Sequence, residues 1–210
     1  MDRIIIADDH PIVSRGLKEI LQDAFSQVTI DETGRGYELI EMVGKNDYDL
    51  VLLDILLPDL NGLEALKKIR KIRPKLPVLV VSVCPEEHYA IRAIRTGAQG
   101  YLAKQSASDE LVRAVRKILS GKRYVNPAFA VQMIIDFESE DEKPAHEKLS
   151  NREFQIMQMF GAGKTMKDIA SELHLSINSI RTYRARIMGK IGVKGTEKLI
   201  RYAIDHNLSE

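Results

Sequence analysis

The stretch Leu50-Val51-Leu52-Leu53-Asp54 sets the fold class of the chain. Four consecutive apolar residues ending in an acid predict a strand buried on both faces, because a half-exposed strand would alternate with polar residues. Amphipathic helical patterns alternate with strands of this kind over the first 120 residues, so we predict an α/β domain with a five-stranded, parallel, doubly wound sheet. The other strands are predicted at 4–7, 28–30, 78–83 and 100–102, and the helices at 11–24, 36–45, 62–73, 86–96 and 108–120.

Length and composition limit what else the chain can be. Its 210 residues are 44% hydrophobic and 29% charged, which is typical of a globular protein with room for two modest domains. A single cysteine, Cys84, excludes a disulfide framework, and the five histidines show no Cys/His spacing for structural zinc. No apolar run approaches the roughly 18 residues of a membrane span. We therefore expect a cytoplasmic protein without membrane contact.

A second, all-α domain is predicted after an acidic linker. We expect domain one at 1–121, a linker with a helix near 129–137 at 122–147, and domain two at 148–210. Ser150 and Glu153 have the spacing of a capping box and mark a helix start. Three more helices are predicted at 166–174, 176–190 and 196–206, the first two capped by Thr165 and Ser176 and the last preceded by Gly195.

Polar side chains follow four of the five predicted strands. In parallel sheets the carboxyl ends of the strands share one edge, where ligands bind. Carboxylates gathered there repel each other unless a cation joins them, and Mg²⁺ is the usual choice beside phosphate. A hydroxyl and an ammonium at the same edge would bind phosphoryl oxygens, with Asp54 as the nucleophile. The residues are Asp8, Asp9, Asp54, Ser82 and Lys104.

Each of these residues also has a plainer interpretation. An aspartate after a strand often only caps a helix, Ser82 alone fits a core hydroxyl, and Lys104 alone fits a solvated charge. Independent capping does not predict their placement at successive strand ends. We therefore favour a phosphoryl-binding site.

Several motifs resemble a known family. Ile4-Ile-Ile-Ala-Asp8-Asp9-His10-Pro11, Asp54-Ile-Leu-Leu-Pro58-Asp-Leu-Asn-Gly62, Val80-Val-Ser82 and Gly97-Ala-Gln-Gly-Tyr101-Leu-Ala-Lys104 resemble a response-regulator receiver domain, which has a flavodoxin-like fold. Leu149-Ser-Asn-Arg-Glu153, Lys167-Asp-Ile169-Ala170, Ser179-Ile-Arg-Thr-Tyr183 and Lys190-Ile-Gly-Val193 resemble a LuxR-type helix-turn-helix domain. The pair in this order is similar to the NarL/FixJ subfamily of two-component response regulators.

The resemblance implies roles for individual residues. Asp8, Asp9 and Asp54 would bind Mg²⁺, and Asp54 would be phosphorylated by a sensor histidine kinase. Ser82, Lys104 and Tyr101 would switch the domain, with the rotamer of Tyr101 reporting phosphorylation. Val83 follows the switch hydroxyl, where the family often has a small residue.

The helix predicted at 176–190 has the charge and periodicity of a DNA-reading helix. Domain two is basic, and no acid occurs between Glu172 and Glu197. Ile180, Ile187 and Ile191 form the predicted buried stripe, so the polar and basic residues face solvent and suit a major groove, although a solvated basic face is the simpler alternative. The candidate DNA-contacting residues are Asn178, Arg181, Thr182, Tyr183, Arg184, Ala185, Arg186 and Lys190.

By resemblance, base contacts fall on Arg181, Thr182 and Ala185, and Tyr183 packs or contacts phosphate. The last helix carries an apolar strip that forms core or, by resemblance, a homodimer contact within 196–207. The strip consists of Leu199, Ile200, Ala203 and Ile204.

These patterns predict a DNA-binding transcription regulator controlled by phosphorylation, which at most catalyses its own phosphorylation and dephosphorylation. The main alternative is an α/β phosphotransfer enzyme that uses Asp54 catalytically. Leu56 disfavours it, since a dedicated phosphatase needs an acid-base partner and the position two residues after Asp54 holds none. A regulator that binds DNA without phosphorylation stays open as a third possibility.

Overall fold

The structure is a computed structural model that describes residues 2–106, 108–126 and 144–209, without the side chain of Glu87. It divides into two compact units, Met1–Ile134 and Ile135–Glu210. The linker helix predicted at 129–137 lies outside the described residues. Within the described part, no helix has the length and apolar character needed to cross a membrane.

The first unit alternates strands and helices along the chain. Its strands form one parallel sheet in the order β2-β1-β3-β4-β5, which confirms the predicted α/β fold. The strands are β1 Arg3–Ala7, β2 Thr29–Thr33, β3 Leu50–Leu53, β4 Val78–Ser82 and β5 Gly100–Ala103. The helices are α1 Pro11–Ala24, α2 Gly36–Lys45, α3 Gly62–Ile72, α4 Glu86–Thr96 and α5 Ser108–Leu119.

Burial explains which strands the sequence predicts well. Every residue of β3 is buried at the centre of the sheet, as its unbroken apolar run requires. β2 lies at the edge and runs to Thr33, beyond the predicted stretch 28–30. The second half of β2 is polar, so its sequence does not indicate a strand. Asp31, for example, pairs with Arg3 and does not enter the core.

The order of the sheet reverses between β1 and β3, and this positions the site. The chain passes from β1 outward to β2 and then returns to β3 on the other side of β1. Ala7 pairs in register with Leu53, so the residues that follow, Asp8 and Asp54, lie side by side at the carboxyl edge. Such reversal points form the ligand crevice of open α/β sheets.

The residues after α5 return to the edge of β5. The Tyr124 amide donates to the Gln99 carbonyl at 2.9 Å, and its hydroxyl donates to the Glu110 carboxylate at 2.6 Å. Gly100 forms a parallel bridge with Tyr124, and a Cβ on Gly100 would lie 2.7 Å from the Tyr124 carbonyl oxygen. The first residues of the predicted linker therefore pack as part of the first unit.

The second unit is helical. A short 3-10 helix, Ala145–Lys148, precedes α6 Asn151–Gly161, α7 Met166–Glu172, α8 Ile177–Ile191 and α9 Thr196–Asp205. Ser150 and Glu153 form both hydrogen bonds of the predicted capping box, and Thr165 does the same with Asp168. α7 ends before the predicted limit because His174 takes a left-handed conformation with φ of 50°.

Candidate functional sites

The carboxylate of Asp54 lies at the centre of a buried polar network. Only 2% of Asp54 is exposed. Its Oδ1 accepts hydrogen bonds from the Ser82 hydroxyl at 2.7 Å and from the amides of Ile55 and Leu56 at 2.6 and 3.3 Å. Its Oδ2 accepts one from Lys104 Nζ at 2.7 Å. The two polar groups predicted to bind phosphoryl oxygens thus both contact Asp54 itself.

Lys104 also links Asp54 to Asp8. Its Nζ is 2.7 Å from Asp8 Oδ2, and only 7% of the lysine side chain is exposed. Burial disfavours the ammonium, but the hydrogen bond to Asp54 and the charge of Asp8 outweigh it, so the pKa of Lys104 is raised and the side chain is charged. Of the predicted residues, Asp8, Asp54, Ser82 and Lys104 therefore meet in one place.

The acids at the end of β1 complete a cluster suited to a cation. One ligand atom each from Asp8, Asp9, His10 and Asp54 can be chosen so that all lie within 4.8 Å of one another. Asp8 Oδ2 is buried and lies 2.7 Å from Lys104 Nζ. Carboxylate oxygens gathered in this way fit a hard divalent cation. Sequence analysis gave His10 no role, although it directly follows the paired acids.

Tyr101 lies next to the network but does not contact Asp54 by a hydrogen bond. Its side chain is buried, and its hydroxyl donates to the carbonyl of Cys84 at 2.5 Å. Burial raises the pKa of the Cys84 thiol to about 11 and raises the pKa of Tyr101 as well, so both are neutral at pH 7. Val83, between Ser82 and Cys84, is 51% exposed. Ser82, which contacts Asp54, and Cys84, whose carbonyl contacts Tyr101, are therefore separated by one residue of the chain.

One face of α8 presents polar and basic side chains to solvent. Ser176 caps the helix by accepting from the Ser179 amide at 3.0 Å, and Gly192 ends it with φ of 80°. Ile180 and Ile187 are fully buried, as the predicted stripe requires, whereas Ile191 is only half-buried. The five exposed residues of this polar face are Asn178, Arg181, Thr182, Ala185 and Arg186, and Ile177, Gly189 and Lys190 at the ends of the helix are exposed as well.

The remaining basic residues of α8 have partners in their own unit. Lys190 Nζ lies 2.6 Å from Glu153 Oε2, and 5% of the Glu153 side chain is exposed. Arg184 is half-buried and donates to the Thr196 hydroxyl at 3.1 Å, and Tyr183 is half-buried too. Lys190 thus fastens α8 to α6, and Arg184 fastens it to the start of α9, contacts that sequence analysis did not predict.

The apolar strip of α9 divides between core and surface. Leu199 and Ala203 are fully buried, Ile200 is half-buried, and Ile204 is 53% exposed. Gly161 of α6 approaches so closely that a Cβ there would lie 2.8 Å from the Ala203 Cβ. Half of the strip is therefore core, and the other half is available at the surface of the unit.

Comparisons with known proteins agree with this arrangement. Residues 4–116 match the family described as the response regulator receiver domain, and residues 147–203 match the bacterial regulatory proteins of the luxR family. The response regulator GacA of Pseudomonas aeruginosa is 30% identical over 209 residues, which cover 99% of this chain and 98% of GacA. The response regulator UvrY of Escherichia coli K12 is 32% identical, with 99% and 96% covered.

One solved structure aligns with nearly the whole chain. The structure of RcsB from Salmonella enterica serovar Typhimurium, bound to promoter rprA in the presence of phosphomimetic BeF₃⁻, aligns with a TM-score of 0.63 at 25% identity. The alignment covers 96% of this chain and 98% of that one. With both family matches in the expected order, the chain belongs to the two-component response regulators of the NarL/FixJ subfamily, DNA-binding proteins that join a receiver domain to a LuxR-type helix-turn-helix.

Proposed function

We propose that Asp54 accepts a phosphoryl group from a sensor histidine kinase and that this loading controls the binding of duplex DNA by α8. The observation that carries the proposal is that both carboxylate oxygens of Asp54 accept hydrogen bonds, one from Ser82 and the other from Lys104. Both donors can pass to phosphoryl oxygens without leaving the pocket. The hydroxyl and the ammonium stabilise the buried carboxylate, and both groups are also able to bind phosphoryl oxygens.

The acids beside Asp54 support a resident Mg²⁺. Asp8, Asp9 and Asp54 would hold it, because their carboxylate oxygens lie close enough together to be ligands of one cation. When bound, the ion neutralises the charge that gathers on the transferring phosphoryl group. The chain's own contribution is to hold the Asp54 oxygens in place and to supply Lys104 as a second, fixed cation.

The transfer itself is a displacement at phosphorus. A carboxylate oxygen of Asp54 forms the new O–P bond while the N–P bond of the donor phosphohistidine breaks and its electron pair stays on the imidazole nitrogen. We propose that the protein at most catalyses this loading and its reversal by water. In this proposal it is a phosphoacceptor without turnover of an external substrate.

The loop after β4 is the proposed switch. When Ser82 leaves Asp54 Oδ1 for a phosphoryl oxygen, the backbone up to Cys84 moves with it. The Cys84 carbonyl is the hydrogen-bond acceptor of Tyr101, so the movement changes the contact that holds the tyrosine inward. Ser82, Tyr101 and Lys104 are thus proposed as one switching group.

For DNA recognition we propose two classes of residue on α8. The five exposed side chains, Asn178, Arg181, Thr182, Ala185 and Arg186, would enter the major groove, with Ala185 limited to apolar contact such as a thymine methyl. Tyr183, Arg184 and Lys190 would lie at the rim of the contact. The ion pair of Lys190 with Glu153 makes its main contribution the placement of the helix.

Further proposals concern organisation. We propose domain limits of 1–121 and 148–210 with a linker at 122–147, the first residues of which pack on the first unit through Tyr124. We also propose a homodimer on DNA that uses 196–207, supported by the exposed Ile204. Because a DNA target and a kinase partner belong to the same compartment, we propose a cytoplasmic protein.

Acetyl phosphate and Mg²⁺ test the phosphoacceptor. The wild-type chain should gain one phosphoryl group, seen by intact mass and lost on hydroxylamine treatment, and Asp54→Asn should gain none. Asp23→Asn, which changes an exposed acid of α1, is the matched control and should load as the wild type does. Loading of Asp54→Asn to the same extent would refute the assignment.

A further inference from the structure

His10 is held over the acidic cluster by the backbone on both sides of it. Pro11 occupies the first turn of α1, and a residue before proline is confined to extended conformations. His10 has φ of −98° and ψ of 102°, and its amide donates to Asp8 Oδ1 at 2.9 Å. The turn back to Asp8 therefore fixes where the imidazole starts.

The imidazole itself faces the carboxylates and not the helix. Its Nδ1 is 2.8 Å from Asp9 Oδ1 and 3.4 Å from Asp8 Oδ1, and it makes no capping hydrogen bond to α1. The side chain is 61% exposed, so an ion arriving from solvent meets it directly. His10 thus offers a nitrogen ligand at the open side of a pocket whose other ligands are all oxygens.

The distances suit direct coordination. Ligand atoms around one cation, each about 2.0 to 2.4 Å from it, are at most about 4.8 Å apart. The chosen ligand atoms of Asp8, Asp9, His10 and Asp54 meet that limit. Imidazole is a ligand of transition-metal dications, and although Mn²⁺ is the weakest binder of that series it accepts nitrogen more readily than Mg²⁺, which prefers oxygen and keeps its waters.

We propose that His10 is a ligand when this site holds a transition-metal dication, and that it shifts the preference of the site away from Mg²⁺ and toward ions such as Mn²⁺. The inference rests on the proposed phosphoacceptor site, since it takes the same carboxylates as the other ligands. With Mg²⁺, His10 stays on Asp9 and the ion has oxygen ligands only. With Mn²⁺, Nδ1 turns its lone pair to the metal.

Electron paramagnetic resonance of Mn²⁺ bound to the full-length protein tests the ligand directly. Pulsed measurements on the wild type should show coupling to one imidazole ¹⁴N, and His10→Gln should lose it. His10→Gln replaces the imidazole with a weakly ligating amide, so Mn²⁺ binding should weaken by about tenfold, the smallest loss typical of mutating even an outer-shell partner of a metal ligand. Mg²⁺ affinity, measured by competition, should change by less than about twofold on the same grounds.

His206→Gln is the control, because it removes a histidine from the other unit. Mn²⁺ that binds without ¹⁴N coupling, or coupling that persists in His10→Gln, overturns the role of His10 and leaves the acidic site intact. Binding of Mn²⁺ and Mg²⁺ that is unchanged in both Asp9→Asn and Asp54→Asn instead overturns the proposed site itself. A far-ultraviolet circular dichroism spectrum and a urea unfolding midpoint like those of the wild type show that His10→Gln is folded.

Discussion

The Asp54 pocket and the exposed face of α8 place charge in opposite ways. In the pocket, Asp8, Asp54 and Lys104 are almost entirely removed from water, and Lys104 Nζ lies 2.7 Å from an oxygen of each acid. On α8, Arg181 and Arg186 extend into solvent. Arg181 donates a 3.3 Å hydrogen bond to Asn178 on the same exposed face.

The difference follows from what each region has to meet. A phosphoryl group is small, so the pocket that takes it can be organised in advance, and each buried charge must have a partner before the ligand arrives. A DNA duplex is large and itself highly charged, so the helix has only to hold its cations outward and lose counterions on contact. Removing one charge should therefore damage folding in the pocket and binding on the helix.

The largest effect is expected from Lys104→Met. Two buried carboxylates lose their counter-ion, and the free energy of unfolding should fall by roughly 3 kcal/mol in urea titrations without Mg²⁺. Added Mg²⁺ should restore part of the loss. Lys18→Met breaks an ion pair with Glu32 in which both side chains are about one-third exposed, and should cost at most roughly 1 kcal/mol. Equal losses in the two variants would break the comparison.

Arg181→Ala should leave unfolding unchanged but weaken binding to a specific operator by about 2 kcal/mol, if the guanidinium reads a base. Fluorescence anisotropy with operator and random duplexes measures both affinities. Lys75→Ala, an exposed cation of the first unit, should change neither. An equal loss on random DNA would make Arg181 a phosphate contact.

Glu153 sharpens the comparison, because it is a buried charge in the DNA-binding unit. Burial raises the pKa of Glu153, but the hydrogen bonds from Lys190 and Ser150 together lower it by more. The pKa of Glu153 in the folded protein therefore lies below its usual range. Its contribution is then present above the unfolded pKa and lost as pH falls through the lower folded value. Glu153→Gln should cost about 1 kcal/mol at pH 7 and reduce the acid sensitivity of α8 as the pH falls below the ordinary glutamate pKa of about 4.3.

Hydrogen exchange of the α8 amides at several pH values measures this contribution. Glu197→Gln, an exposed acid of α9, should exchange like the wild type. An unchanged pH profile in Glu153→Gln would show that Lys190 is not held by this carboxylate.

The smallest effect is expected at the rim of the pocket. Leu56 is half-buried and Val83 half-exposed, and neither can orient a water for attack on the phosphoryl group. We expect this chain to hydrolyse its own phosphoryl group slowly compared with other members of the family. Leu56→Asn should shorten the phosphorylated lifetime severalfold, and Val83→Ala should speed loading by acetyl phosphate. A half-life of Leu56→Asn that is unchanged or longer after donor removal would refute this role.

The sequence predicted the parts of the molecule that local patterns determine. The apolar runs located β1, β3, β4 and β5, and the serine and threonine caps located the starts of α6, α7 and α8. The sequence pattern placed β2 too early, because this edge strand is only partly buried and so contains few apolar residues. The strand ends also predicted that Asp8, Asp54, Ser82 and Lys104 meet, because parallel strands fix that edge.

Partners that are distant in sequence were beyond such patterns. Nothing near Lys190 indicates that Glu153, 37 residues earlier, is its counter-ion. The carbonyl acceptor of Tyr101 depends on the path of the loop after β4, and the direction of the His10 ring depends on an amide bond to Asp8. In each case the three-dimensional path of the chain decides the contact and residue type does not.

The close approach of Gly100 and Tyr124 has a practical consequence for dissecting the protein. β5 is an outer strand, and an open strand edge is a template for aggregation by pairing with other chains. Here the segment around Tyr124 covers part of that edge, and a side chain at position 100 would push it away. A receiver fragment that ends at Gly121 would leave this edge of β5 uncovered. A fragment that continues to Asn126 keeps the segment around Tyr124, which covers the edge and opposes self-association.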